Sequence, residues 1–249
     1  MNRRGVTLAL SLLAASVLVG GCAPKNLVST SQEIQIGQEA SKSVERQYRV
    51  DPNPALEGLV NDLGQTLVKC CDRQNIKYTF KVLDTNDVNA FSLPGGWVYV
   101  YKGLINQTHG RQDEIAGVLA HEIGHVVHRH HADMIGREEY AQILVGTLTR
   151  GQVQDLAGVF ADVTLLHFSR ENEYDADMSG IREMYRCEKY NPAVYNPQGL
   201  IDFFDKLLKI EGHRPSAFTQ IFQTHPVTAN RIQKAQAYLA ELRAGKVDP

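Results

Sequence analysis

The chain has 249 residues, 43% of them apolar, which is enough to bury one core of ordinary size and points to one domain. Its 26 basic and 28 acidic side chains leave a net charge of −2 and no broad cationic field, so nucleic acid is not expected as a partner. After residue 22 no segment stays apolar for 18 positions, and the longest candidate, Ile143 to Phe168, is broken by Arg150, Asp155 and Asp162.

Arg3 and Arg4 precede an apolar run, Val6 to Val19, with the length of a signal-peptide core but short of the roughly 20 residues that span a bilayer. Val19-Gly20-Gly21-Cys22 then resembles the lipobox of bacterial lipoproteins. On that resemblance residues 1–21 are a signal peptide, Cys22 is the acylated amino terminus, and residues 22–30 form a lipidated polar tether. Several acyl chains anchor stably, since burial contributes about 0.8 kcal/mol per methylene and one chain alone is marginal. Ala23 stands where many such lipoproteins carry the Asp that retains them in the inner membrane, which points to the outer membrane and a periplasm-facing domain over residues 31–249. Cys70, Cys71 and Cys187 remain in a compartment that permits disulfides. Cys187 paired with Cys70, Cys187 paired with Cys71, and three buried thiols all stay open.

Apolar residues at helical spacing predict helices over Ser31 to Tyr48 and Pro54 to Lys69. Alternation at Tyr78, Phe80 and Val82, the run Val88 to Leu93, the turn Pro94-Gly95-Gly96 and the run Trp97 to Tyr101 predict a small sheet containing a hairpin. From Arg111 onward Ile115, Val118, Leu119, Ile123 and Val126 recur at three and four, one apolar stripe through His121-Glu122-Ile123-Gly124-His125. Further helices are expected around 135–148, 152–166, 170–187, 197–211 and 227–243.

His121 and His125, four apart on a helix, project from one face and can converge on an ion about 2.0–2.1 Å from each nitrogen. Glu122, on the adjacent face, suits a carboxylate that takes a proton from the attacking water and delivers it to the leaving amine. A catalytic zinc needs a third protein ligand and one open position. His131, ten positions after His121, has the spacing of the metzincin motif, but His128 stands where that motif needs Gly. In an unbroken helix His131 would lie about 15 Å along the axis from His121, so His128, His130 and His131 are expected as exposed helix-end residues. The other candidate is Glu173 in Ser169 to Asp177, SRENEYDAD, with Asp177 one turn later placed to hydrogen-bond a liganding histidine. Spacing alone leaves Glu173 open, because acids also favour a helix amino terminus without any metal.

HEIGH, the ENEYDAD segment about fifty residues later, and Thr224-His225-Pro226 followed by Arg231-Ile232, together resemble the HtpX, Oma and BepA family of gluzincin zinc metallopeptidases, over roughly residues 31–243. The resemblance implies an α+β, mainly helical zincin-like domain with a small sheet and an active-site helix. It implies one zinc per chain held by His121, His125 and Glu173, with Glu122 catalytic. His225 is then expected to reach the metal site from a carboxy-terminal loop, either stabilising the oxyanion or occupying the open position. Arg231 would orient that loop or a nearby acid. Asn89, Ala90 and Phe91 would belong to an edge strand that binds extended substrate by backbone pairing. The expected activity is endopeptide hydrolysis of misfolded or stalled envelope proteins, with protein partners in envelope assembly. A chaperone-like or scaffolding lipoprotein with a latent zinc site blocked by His225 is the alternative.

Overall fold

The computed structural model describes residues 28–135, 149–211 and 215–249. The signal segment, the lipobox with Cys22 and all but the first position of the helix expected over 135–148 lie outside these residues.

Two helices open the domain. Ser29 caps α1 (Thr30–Gln47) in a reciprocal box with Gln32, and Asn53 caps α2 (Pro54–Val68), whose proline has no amide hydrogen to leave unpaired at the first helical position. The sheet comprises β1 (Thr79–Leu83), β2 (Ala90–Leu93) and β3 (Trp97–Tyr101) in the order β1-β3-β2. β2 and β3 form the expected antiparallel hairpin, turned by Gly95 and Gly96 at φ 78° and 105°, whereas β1 joins β3 in parallel. β2 starts two residues later than expected because the Val88 amide bonds to the Ala217 carbonyl instead of the sheet.

Strand alternation splits the core in two. Val98 and Val100 face a cluster with α2 and the later helices, while Tyr99 and Tyr101 face a second cluster with α1 and the helix after residue 149. Past the short α3 (Lys102–Gln107), α4 (Gln112–Val127) runs through the larger core, buried at every residue from Glu114 to Val126. It therefore packs all round, not through a single stripe. Arg129 adopts φ 59° and breaks the chain before α5 (His130–Ile135). That break turns His130 and His131 inward to 2% and 1% exposure, so only His128 of the three is the exposed helix-end residue expected.

The remaining elements are α6 (Arg150–Ala161), α7 (Arg170–Cys187), α8 (Gln198–Glu211), α9 (Thr219–Thr224), which sequence periodicity did not signal, and α10 (Ala229–Arg243). α7 crosses α4 at van der Waals contact. A Cβ on Gly124 would lie 2.9 Å from the Ala176 carbonyl oxygen, and one on Gly180 would lie 3.0 Å from the His121 nitrogen. Cys70 and Cys187 form a disulfide that ties the end of α2 to the end of α7. Cys71 is free and buried, and burial pushes its thiol up to about 11. Among the described residues no helix is long and apolar enough to cross a membrane.

Candidate metal centre

The close crossing of α4 and α7 assembles the site. Ser169 caps α7 through Asn172, which sets Glu173 in the first turn and Asp177 one turn later on the same face, opposite His125 and His121. The Nε2 atoms of His121 and His125 are 3.1 Å apart. Glu173 Oε1 lies 3.4 Å from His125 Nε2, and its Oε2 lies 3.6 Å from His121 Nε2. A tetrahedral zinc with bonds of about 2.0–2.1 Å requires donors roughly 3.3 Å apart, so this buried His-His-Glu set fits the ion. Glu173 Oε2 also finds no hydrogen-bond donor in good geometry, although the Arg231 guanidinium stands at 2.7 Å.

His225, from the end of α9, completes the group. Its Nδ1 is 3.3 Å from His121 Nε2 and 3.1 Å from Glu173 Oε1, where a fourth corner would fall. Its Nε2 points to Glu122 Oε1 at 3.4 Å, while Ser92 Oγ donates to the other Glu122 oxygen at 3.0 Å. The Glu122 carboxylate is thus held from both sides, by β2 and by the His225 segment.

Asp177 Oδ1 lies 2.9 Å from His121 Nδ1, beside the ring nitrogen that faces away from the other donors, while Nε2 faces them. Arg231 grips Asp177 through two nitrogens, at 2.8 and 2.7 Å, reaches Glu173, and donates to the Pro226 carbonyl at 2.9 Å. It links both acids to the loop carrying His225. Burial opposes the charge on Glu173, but Arg231 and then His225 hold its carboxyl well below the ordinary range. Burial also opposes a charge on His225, yet Glu173 and Glu122 raise it above the usual imidazole range. Burial pushes His125 far down, so it stays neutral and able to ligate.

Three contacts were not legible as site features. His130 Nδ1 lies 2.9 Å from His125 Nδ1, and burial pushes His130 down to about 3, so it is neutral and accepts the hydrogen that His125 carries when its Nε2 ligates. In that tautomer His130 Nε2 bears hydrogen, which rules against metal at the neighbouring trio of His128, His130 and Asp175 while the main site is filled. His131 Nε2 donates to the Ser92 carbonyl at 2.9 Å, steadying the strand whose hydroxyl holds Glu122. Phe168 stacks on His125 with centroids 3.9 Å apart. Asn89, Ala90 and Phe91, expected along an open edge, are all buried. Asn89 accepts from Thr224 and leaves its amide nitrogen unpartnered, Ala90 borders a cavity beside Glu122, and Phe91 packs on Tyr99 in the second core.

A mainly helical domain with a small sheet, a buried His-His-Glu donor set and an acid next to the first histidine define a metallopeptidase domain of the zincin type. The chain matches the model of peptidase family M48 over residues 54–239. It belongs to that family, whose chemistry implies a divalent metal. It is 26% identical over 236 residues to the beta-barrel assembly-enhancing protease of Escherichia coli K12, covering 90% of this chain and 47% of that protein. It is 30% identical over 224 residues to the mitochondrial metalloendopeptidase OMA1 of Schizosaccharomyces pombe, covering 87% and 64%. With the metalloprotease YcaL of E. coli K12 it shares 25% over 264 residues, covering 95% and 98%. The chain thus spans about half the length of the first of these relatives and nearly all of the last.

Proposed function

We propose that this protein is a zinc metalloendopeptidase tethered by acyl chains on Cys22 to the outer membrane, facing the periplasm, where it cleaves misfolded or stalled envelope proteins. The observation that carries the enzymatic part is the donor geometry. His121, His125 and Glu173 stand at zinc-ligand spacing around a point that Glu122 adjoins. Zinc there supplies a Lewis acid that activates water and polarises the scissile carbonyl. Glu122, fixed by Ser92, takes the proton from the attacking water and hands it to the leaving amine. Asp177 and His130 keep the imidazoles in the tautomers that ligate. Residues 1–21, 22–30 and 31–249 remain the signal peptide, tether and catalytic domain of this proposal.

Metal analysis of the purified domain tests the ligand set: wild type should hold one zinc per chain and Glu173→Ala far less. Equal zinc in both would remove Glu173 from the site. Glu122→Gln should keep the zinc and lose about 10²- to 10⁴-fold in cleavage of an unfolded protein. Cys22→Ser should abolish palmitate labelling and release the domain from membranes; labelling that survives would sink the tether.

A second reading, a binding or scaffolding lipoprotein with a latent site, is favoured by one observation: His225 Nδ1 stands where the open position would be. The two readings differ in whether Glu122→Gln loses the biological function or retains it.

A further inference from the structure

The amino-terminal helix reaches the end of the zinc-site helix through one buried acid. Glu33, in the first turn of α1, is 1% exposed, and its Oε2 accepts from two guanidiniums, Arg73 Nη2 at 2.6 Å and Arg129 Nε at 3.1 Å. Arg129 Nη2 donates in turn to the Val28 carbonyl, just ahead of the α1 cap. Arg73 Nη1 donates at 2.8 Å to the Val126 carbonyl in the last turn of α4, the same oxygen that accepts the Arg129 amide at 3.2 Å. A fixed positive charge suits that carbonyl end of a helix. Glu33 therefore ties the Arg129 side chain to the helix end that the Arg129 backbone leaves.

Arg129 needs such a hold, because its backbone does what its residue type resists. It sits at φ 59°, and outside glycine only a few per cent of residues take that left-handed conformation. Its carbonyl accepts from the Ala132 amide at 2.8 Å at the start of α5. Two histidines depend on the turn: His130 Nδ1 comes 2.9 Å from His125 Nδ1, and His131 Nε2 bonds the Ser92 carbonyl. With the Arg129 side chain released, the chain past His128 can continue as helix, which carries both histidines away from those partners. The contacts that oppose this come from Val28, Glu33 and Arg73, all outside the donor set.

We propose that Glu33 is a positioning residue for the metal centre. Through Arg129 and Arg73 it holds the left-handed turn that keeps His130 against His125, so that the ring hydrogen of His125 has its acceptor and Nε2 faces the ion. The size of the effect follows from the backbone. If release of Arg129 lowers the occupancy of the turn to about one in ten, the apparent affinity for zinc falls about tenfold. The ceiling is set by His130→Ala, which removes the acceptor outright at about 10- to 100-fold.

The test is a chelator competition for zinc on the purified protein, with folding followed by circular dichroism. Glu33→Ala should weaken zinc about tenfold, but its loss and that of His130→Ala should not add. Residues that act along one route are coupled, so in a His130→Ala background Glu33→Ala should change zinc affinity less than about twofold. Losses that add in full would overturn the route through His130. Glycine takes positive φ about as readily as negative, so Arg129→Gly added to Glu33→Ala should recover part of the affinity, and no recovery would remove the turn as the link. Nuclear magnetic resonance of the zinc-loaded protein should show the hydrogen held between the two Nδ1 atoms in wild type and weaken it in Glu33→Ala. Unchanged affinity and an unchanged resonance in a chain that is merely less stable would make Glu33 a folding residue only. If Glu33→Ala fails to fold, Glu33→Gln, which keeps the shape and an accepting oxygen, provides the same comparisons with a smaller loss. The proposal rests on the donor set assigned above, and Glu173→Ala measured alongside separates the two. Unchanged zinc in Glu173→Ala removes the donor set, whereas unchanged zinc in Glu33→Ala removes the positioning role alone.

Discussion

The four side chains that could hold a metal ion come from two unlike regions. His121, His125 and Glu173 sit on α4 and α7, helices of 16 and 18 residues pressed together at Gly124 and Gly180. His225 ends a six-residue helix and leaves helical geometry at φ −130°, ψ 77°, held by its own amide bond to Ile221 and by the Arg231 contact to Pro226. The first region is fixed by packing along two long helices, whereas the second is a short segment anchored in the larger core by Ile221 and Val227 and held at His225 by a few polar contacts. Three donors are therefore part of the fold and the fourth is conditional on where one short segment lies.

Arg231 joins the regions, so removing it should break the comparison most severely. Arg231→Met leaves Glu173 and Asp177 buried without their cation, and breaking such a buried pair costs about 3–5 kcal/mol. Chemical denaturation of the metal-free domain should show that loss. Added zinc should restore part of it, because the ion supplies positive charge beside Glu173 and stabilises whatever state binds it. A variant as stable as wild type without metal would show that the acids do not depend on the guanidinium.

The helix seam is next. Gly180→Ala puts a methyl 3.0 Å from the His121 nitrogen and forces α7 from α4, at about 1–3 kcal/mol for overpacking. Because the displaced backbone carries Glu173 and Asp177, zinc affinity should fall together with the thermal midpoint. Loss of stability with unchanged zinc affinity would mean that the seam supports the fold without setting the donors.

His130→Ala acts more narrowly. It removes the acceptor for the His125 ring hydrogen and should weaken zinc by about 10- to 100-fold in a chelator competition, the usual cost of losing such a partner. His130→Asn, which retains an acceptor, should recover part of the affinity. A variant that loses stability while binding zinc as tightly as wild type would make His130 a packing residue only.

How much of this was legible follows the same division. HEIGH announced itself through spacing and an apolar stripe, because both histidines lie on one helix and their relation is local. The Ser169 cap and the four-residue step from Glu173 to Asp177 are equally local, but nothing in their spacing says that α7 crosses α4 there. Family likeness supplied that. Ser92 escaped notice because its bond to Glu122 joins β2 to α4 across thirty residues, and His130 and His131 were expected in solvent because their partners are reached only after Arg129 takes a left-handed backbone that no residue type demands. Continuing the helix past His128 put these two histidines in solvent, and the turn puts His130 against His125 and His131 against β2. The same break answers the metzincin spacing: His131 does turn inward, but to the Ser92 carbonyl and not to the metal donors.

The smallest effect should separate the two regions most clearly. His225→Ala removes one corner of the tetrahedron, but a water molecule can occupy that corner, so zinc affinity should change by less than tenfold while Glu173→Ala loses most of the metal. The fold should tolerate it, because Ile221 and Val227 on either side of His225 keep their places in the larger apolar cluster. Cleavage should rise. If the His225-bound arrangement holds nine molecules in ten, freeing the corner raises the competent fraction about tenfold, and a smaller closed population gives a smaller gain. Measured at saturating zinc, a rise identifies His225 as the group that keeps the site shut. A fall of tenfold or more at unchanged zinc content would assign it instead to the oxyanion, and would make the arrangement described here a resting pose of a residue that turns toward substrate.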